Sequence, residues 1–162
     1  MKEKIKTMTL VAILTALAIV LSTWVKVPLI SDIKLDLSYI VLTVAVLRTG
    51  LLGGIFVGGV SAFLGSLLFS AYGLSPSWIL ANIVTAIILW AFVKLAKGKT
   101  WVIAIGVVVA AAVGMLGVKT FVECTLYDIP LLVKIPKNAV AFAADAAVME
   151  LGLFVNKFIK VK

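Results

Sequence analysis

Apolar runs too long for the core of a small soluble domain set the limits on what this chain can fold into. They cover residues 7–24, 51–71, 77–95, 101–126 and 136–158, with a shorter one at 37–47. A helix needs about 20 apolar residues to cross the hydrocarbon of a bilayer. Within lipid, only helices and closed barrels leave no backbone group unpaired, and these runs lack the alternation that barrel strands need. Composition agrees: 64% of the 162 residues are hydrophobic, 14% are charged, and mean hydropathy is +1.25. A soluble domain is about 45–50% apolar. The reading is an all-α polytopic integral membrane bundle of six transmembrane helices, a single domain over 1–162, with the lipid bilayer as its solvent.

Punctuation between the runs supports six spans. Pro28 interrupts the chain after the first, and 25–36 carries Lys26, Asp32, Lys34 and Asp36, too polar for a lipid core. Arg48, Thr49 and Gly50 end the second. Tyr72 to Pro76 forms a turn, with Pro76 suited to the first turn of the next helix. A basic loop occupies 96–100, 128–134 is a further loop, and Pro136 is expected to open the sixth span. Residues 1–24 have the layout of a signal peptide, with lysines before an apolar run, but read as the first span.

The net charge of +8 belongs to topology rather than to nucleic acid. Ten basic residues fall on the side of the termini: Lys2, Lys4, Lys6, Arg48, Lys94, Lys97, Lys99, Lys157, Lys160 and Lys162. Four fall on the other: Lys26, Lys34, Lys134 and Lys137. Cytoplasmic loops carry the excess of Lys and Arg, so both termini are expected in the cytoplasm.

Chemistry is narrowed by what is missing. There is no histidine and one cysteine, Cys124, so the commonest general base and metal ligand are absent and no intrachain disulfide can form. Neither a metal nor a cofactor is expected, and an intramembrane enzyme is the weakest reading. Gly98, Lys99 and Thr100 resemble the end of a phosphate-binding loop, but the required earlier glycine is replaced by Val93 and no strand precedes it. Any ATP use belongs to another polypeptide.

The ionisable and amide side chains inside spans carry the functional signal, because each is costly in lipid. Lys119 and Glu123 are four apart on the fifth span and can pair across one helix face. Asn138 and Asp145, seven apart, share a face of the sixth. Asn82 lies one turn beyond Trp78 on the fourth. With Trp24 and Tyr72 at outer span ends, these residues converge on the outer half of the bundle. A few polar groups among aromatic walls suit a small-molecule site. The tryptophans equally suit an interfacial belt. Glu150 lies deeper. Gly53, Gly54, Gly58, Gly59 and Gly65 suit close helix packing, and Ala12 and Ala16 form a small-residue pair that can dock another helix.

Four stretches resemble the S components of energy-coupling-factor (ECF) transporters: 10–18 (LVAILTALA), 34–38 (KLDLS), the glycine-rich 50–68, and 75–82 (SPSWILAN). The similarity covers nearly the whole chain. It implies a prokaryotic cell-membrane subunit that captures a vitamin or related micronutrient from outside. It implies, too, a transmembrane coupling subunit and two ATPase subunits as partners, with Ala12 and Ala16 matching the docking pair of the first helix. Arg48 and Thr49 depart from the Gly-Pro turn often found after the family's second helix. Two other readings stand beside capture: a self-sufficient proton-coupled transporter using Asp145 and Glu150, and a membrane assembly subunit without a ligand.

Overall fold

The computed structural model describes residues 2–30, 33–69 and 74–158. Five helices among them are long and apolar enough to cross a membrane: Lys2–Trp24, Ser38–Leu68, Pro76–Leu95, Thr100–Tyr127 and Leu131–Phe158. The first is α1. A strand pair follows, β1 (Lys26–Ile30) and β2 (Ile33–Asp36), antiparallel, with Lys26 opposite Asp36 and an irregularity after Pro28. The fold is all-helical apart from this short pair, which occupies part of the stretch expected as a polar loop over 25–36. The polar residues that rule out a span there also permit an extended pair, which satisfies its own backbone groups.

The second helix, α2 (Ser38–Phe69), changes direction at Gly50, where φ is 76° and ψ is −160°. That conformation is essentially reserved for glycine. A Cβ placed on Gly58 would come within 2.9 Å of Leu42 Cδ1, and one on Gly54 would meet Val46. In a straight helix residues 42 and 58 would lie about 24 Å apart. The segments 38–49 and 51–69 are therefore two arms folded back on each other. The break falls where the sequence placed a boundary between its second and third spans.

α3 (Pro76–Leu95) opens on its proline as expected. The fifth expected span is one helical rod in three parts: α4 (Thr100–Ala111), a π-helical segment (Ala112–Lys119) and α5 (Thr120–Tyr127). α6 (Leu131–Phe158) begins before the expected 136 and carries Pro136 inside it. The proline that opens it is Pro130, whose carbonyl accepts from the N–H groups of Val133 and Lys134. Pro136 deprives the Leu132 carbonyl of its i+4 donor. It does so in the exposed opening turns of the helix, where Leu132 is 86% accessible.

The arm 38–49 runs through the middle of the bundle. Its Tyr39, Leu42 and Val46 join the main core with Leu89 of α3, Val107 of α4, Met115 of the π segment and Met149 of α6. Its Val41, Val44 and Ala45 join a second core with Leu14 and Ala18 of α1 and Val57 of the other arm. Gly53, Gly54, Gly58 and Gly65 are buried, so the glycine-rich face serves internal packing. Gly152 of α6 lets that helix approach the central arm, since a Cβ there would lie 2.8 Å from Thr43 Cβ and 3.0 Å from the Ile40 carbonyl. At the Gly50 end, Arg48 donates to the side chain and the carbonyl of Asn156. Val11 of α1 lies level with Gly53. The start of α1 and the end of α6 thus share the Gly50 end, opposite the strand pair.

Candidate functional site

Polar side chains gather in the half of the bundle nearer the strands, in two tiers along α6. The deeper tier is set by the start of α2. The Asp36 carboxylate accepts from the Ser38 N–H at 2.9 Å, satisfying one of the free amides at a helix start. The next residue, Tyr39, points inward and is 2% exposed. Its hydroxyl donates to Asn82 Oδ1 of α3 at 2.8 Å and lies 3.7 Å from Met115 Sδ. Asn82 Nδ2 in turn donates to the Gly58 carbonyl at 3.4 Å. Trp78, one turn before Asn82, lies beside the Tyr39 hydroxyl, and a Cβ placed on Gly65 would come within 3.6 Å of its ring. Asp145 of α6, 6% exposed, completes the tier within electrostatic reach of Tyr39, Lys119 and Asp36.

The outer tier joins α5 to the start of α6. Asn138, 4% exposed, donates through Nδ2 to Thr120 Oγ1 at 2.8 Å and to Glu123 Oε2 at 3.5 Å. Lys134 Nζ lies 3.0 Å from the same Glu123 oxygen. The π-helical segment connects the tiers: Thr120 Oγ1 donates to the Met115 carbonyl five residues back, at 3.1 Å. π-helical turns are frequent at functional sites. This one presents Met115 to the deep tier and leads directly into Thr120, which serves the outer one.

Two acceptors stay open. Both partners of Asn138 Nδ2 are oxygens, which fixes the amide orientation and turns Oδ1 elsewhere. Among the described residues no donor reaches Asn138 Oδ1, and none hydrogen-bonds the Asp145 carboxylate. Yet no described side-chain nitrogen or oxygen is both fully enclosed and unpartnered. These oxygens therefore keep some accessible surface although their residues are buried. Seven residues separate them, two helical turns or about 10 Å along one face.

The expected site residues are largely brought together: Asn82, Trp78 and Asp145 with Lys119 nearby, and Glu123 with Asn138. The pairing differs from the expectation, however. Glu123 is paired with Lys134, not Lys119. Because α6 starts at Leu131 rather than after Lys134, that lysine is a helical residue alongside α5 instead of part of a free loop. Trp24 is 78% exposed at the end of α1, and no described hydrogen bond joins it to either tier. Tyr72 lies outside the described residues. Glu150 is partly buried on α6, two residues before Gly152, and belongs to neither tier. Tyr39, Met115, Thr120 and Lys134 were not singled out by sequence. The signal for Tyr39 was its place at the very start of a helix, directly after the KLDLS stretch. Ala12 and Ala16 are exposed on α1.

The family model of the ECF-type riboflavin transporter S component matches residues 2–152. No curated protein and no solved structure gives a significant match. With a match across almost the whole chain, this membrane protein belongs to the family of ECF-type riboflavin transporter S components.

Proposed function

We propose that the protein captures a flavin, with riboflavin as the principal ligand, from outside the cell and delivers it to an ECF-type importer. The observation that carries this reading is the convergence of Tyr39, Asn82, Asn138 and Asp145, all buried, on one half of the bundle. Buried polar groups at membrane depth are expensive and mark ligand or ion sites. In this reading the two arms of α2 count as separate crossings, giving six spans with both termini in the cytoplasm. The basic residues at the Gly50 end, Arg48, Lys94, Lys97 and Lys99, support that orientation. The strand end then faces outward and receives the ligand.

The protein has no nucleotide-binding loop, so the energy for release comes from partners: a transmembrane coupling subunit and two ATPases. The exposed Ala12 and Ala16 on α1 suit close approach of a helix from the coupling subunit. The test is titration of the purified full chain in detergent with riboflavin, followed by quenching of flavin fluorescence. Saturable binding at one site is the expected result. Absence of binding by folded protein would overturn flavin capture. Uptake into vesicles without ATPases, driven by a proton gradient, would favour a self-sufficient transporter.

A further inference from the structure

We infer that the turn between α3 and α4 binds an anionic phospholipid. Lys94, Lys97 and Lys99 hold the headgroup, and the apolar residues beside them meet the acyl chains. This lipid site is independent of which ligand the bundle captures.

Three lysines fall within six residues here, and all are exposed. Lys97 and Gly98 both adopt positive φ, 44° and 87°, and the Lys99 N–H donates to the Ala96 carbonyl at 2.8 Å. The chain therefore reverses within 96–99, over an Ala96 that is 1% exposed. Just beyond the turn the two helices are in close contact, since a Cβ on Gly106 of α4 would run into the Phe92 side chain of α3. The reversal keeps the lysine at the end of α3 near the two that precede α4, so three positive charges gather at one place.

Like charges this close repel unless an opposite charge lies nearby. Among the described residues no carboxylate pairs with Lys94, Lys97 or Lys99, and residues 37–122 contain no Asp or Glu. Lys134 differs, for Glu123 lies 3.0 Å from its ammonium. The bias of basic residues toward one side of a membrane explains where the three lysines lie. It supplies no counter-charge, whereas an anionic headgroup does.

The apolar surroundings select a lipid. Leu95, 69% exposed, lies between Lys94 and Lys97, and Trp101, 63% exposed, follows directly after the turn. Lys94 Nζ is 5.8 Å from the centroid of the Trp90 ring, one turn earlier on α3. Tryptophan rings favour the headgroup level of a bilayer. Lysines there lay their stems along apolar surface and keep the ammonium among the headgroups. From Trp101 an exposed apolar face continues along α4 through Ile105 and Val108, four and seven residues on and so on one side of the helix. A headgroup held by the lysines places its acyl chains beside that face. Free phosphate would meet the lysines and leave these apolar groups unused.

The test is native mass spectrometry of the full chain, delipidated in detergent and given phosphatidylglycerol or phosphatidylcholine with identical acyl chains. Phosphatidylglycerol is expected to bind about fivefold or more tightly, the factor that one lysine contributes at an anionic lipid surface. Combining Lys94→Gln, Lys97→Gln and Lys99→Gln should abolish the preference. Combining Lys2→Gln, Lys4→Gln and Lys6→Gln, the same change in net charge, should preserve it. An unchanged thermal-unfolding midpoint marks each variant as folded.

Equal binding of the two lipids to the unaltered protein would overturn the site, and that comparison needs no substitution. Equal loss of preference in the two triple variants would also overturn it, because net charge alone would then be responsible. Displacement of phosphatidylglycerol by inorganic phosphate, but not by chloride at the same ionic strength, would replace the lipid with a free anion. A full lipid preference in the turn variant, together with lost copurification of ATPase subunits, would assign the lysines to an acidic protein surface instead.

Discussion

The Tyr39 hydroxyl donates to Asn82 Oδ1 in a layer where both residues are about 98% buried. Tyr39→Phe removes the donor and leaves that oxygen unsatisfied, which costs about 1–3 kcal/mol. The expected outcome is a lower thermal-unfolding midpoint in detergent together with weaker riboflavin binding, because Asn82 loses its fixed orientation. An unchanged midpoint would refute a structural role for this hydrogen bond. Asn82, Asn138 and Asp145 were legible as site residues because polar side chains stand out in apolar runs. Tyr39 was not, because a tyrosine near a span end reads first as an interfacial anchor. The partner of Glu123 was misread for a different reason. Spacing four apart identifies a neighbour on the same helix, but Lys134 reaches Glu123 from the next helix, at a distance only the packing reveals.

At the scale of elements, glycine positions separate backbone need from space. Gly50 has φ 76° and nothing within 4 Å of a built Cβ, so Gly50→Ala meets no clash and acts only through backbone strain, costing about 1–3 kcal/mol. Gly117 is helical, and the nearest atom to its built Cβ is 3.9 Å away. Gly117→Ala should be neutral or stabilising by up to about 1 kcal/mol from helix propensity. Thermal unfolding of the two variants side by side checks the contrast, and equal destabilisation would refute it. Helix limits were mostly legible from Pro, Gly and charge, as at Pro76 and Gly50. The start of α6 was not, because Pro130 and Pro136 both suit a helix opening and the earlier one prevails. The π-helical segment left no trace in the sequence. Within it, Gly114 lies so close to α3 that a Cβ there would run into Thr85 and the Ala81 carbonyl.

At the scale of the molecule, α1 lies at the edge with Ala12 and Ala16 turned outward, while its Leu14 and Ala18 fill the second core. Ala16→Phe should abolish riboflavin uptake by cells carrying the complete importer yet leave riboflavin binding by the isolated chain unchanged. Loss of binding as well would show that the face is structural. Orientation has its own check. Cysteines introduced by Lys2→Cys and Lys157→Cys should react with an impermeant reagent only from the cytoplasmic side, and one from Ser75→Cys only from outside. The arrangement of the arm 38–49 also bears on how the chain enters its membrane. At twelve residues it is about 18 Å long, well short of the roughly 30 Å hydrocarbon layer. A translocon offered this arm alone would have no complete crossing to release into lipid. The two arms are therefore expected to enter the membrane together, with Gly50 already turned, so that the central helix is delivered to its place by its neighbour in sequence.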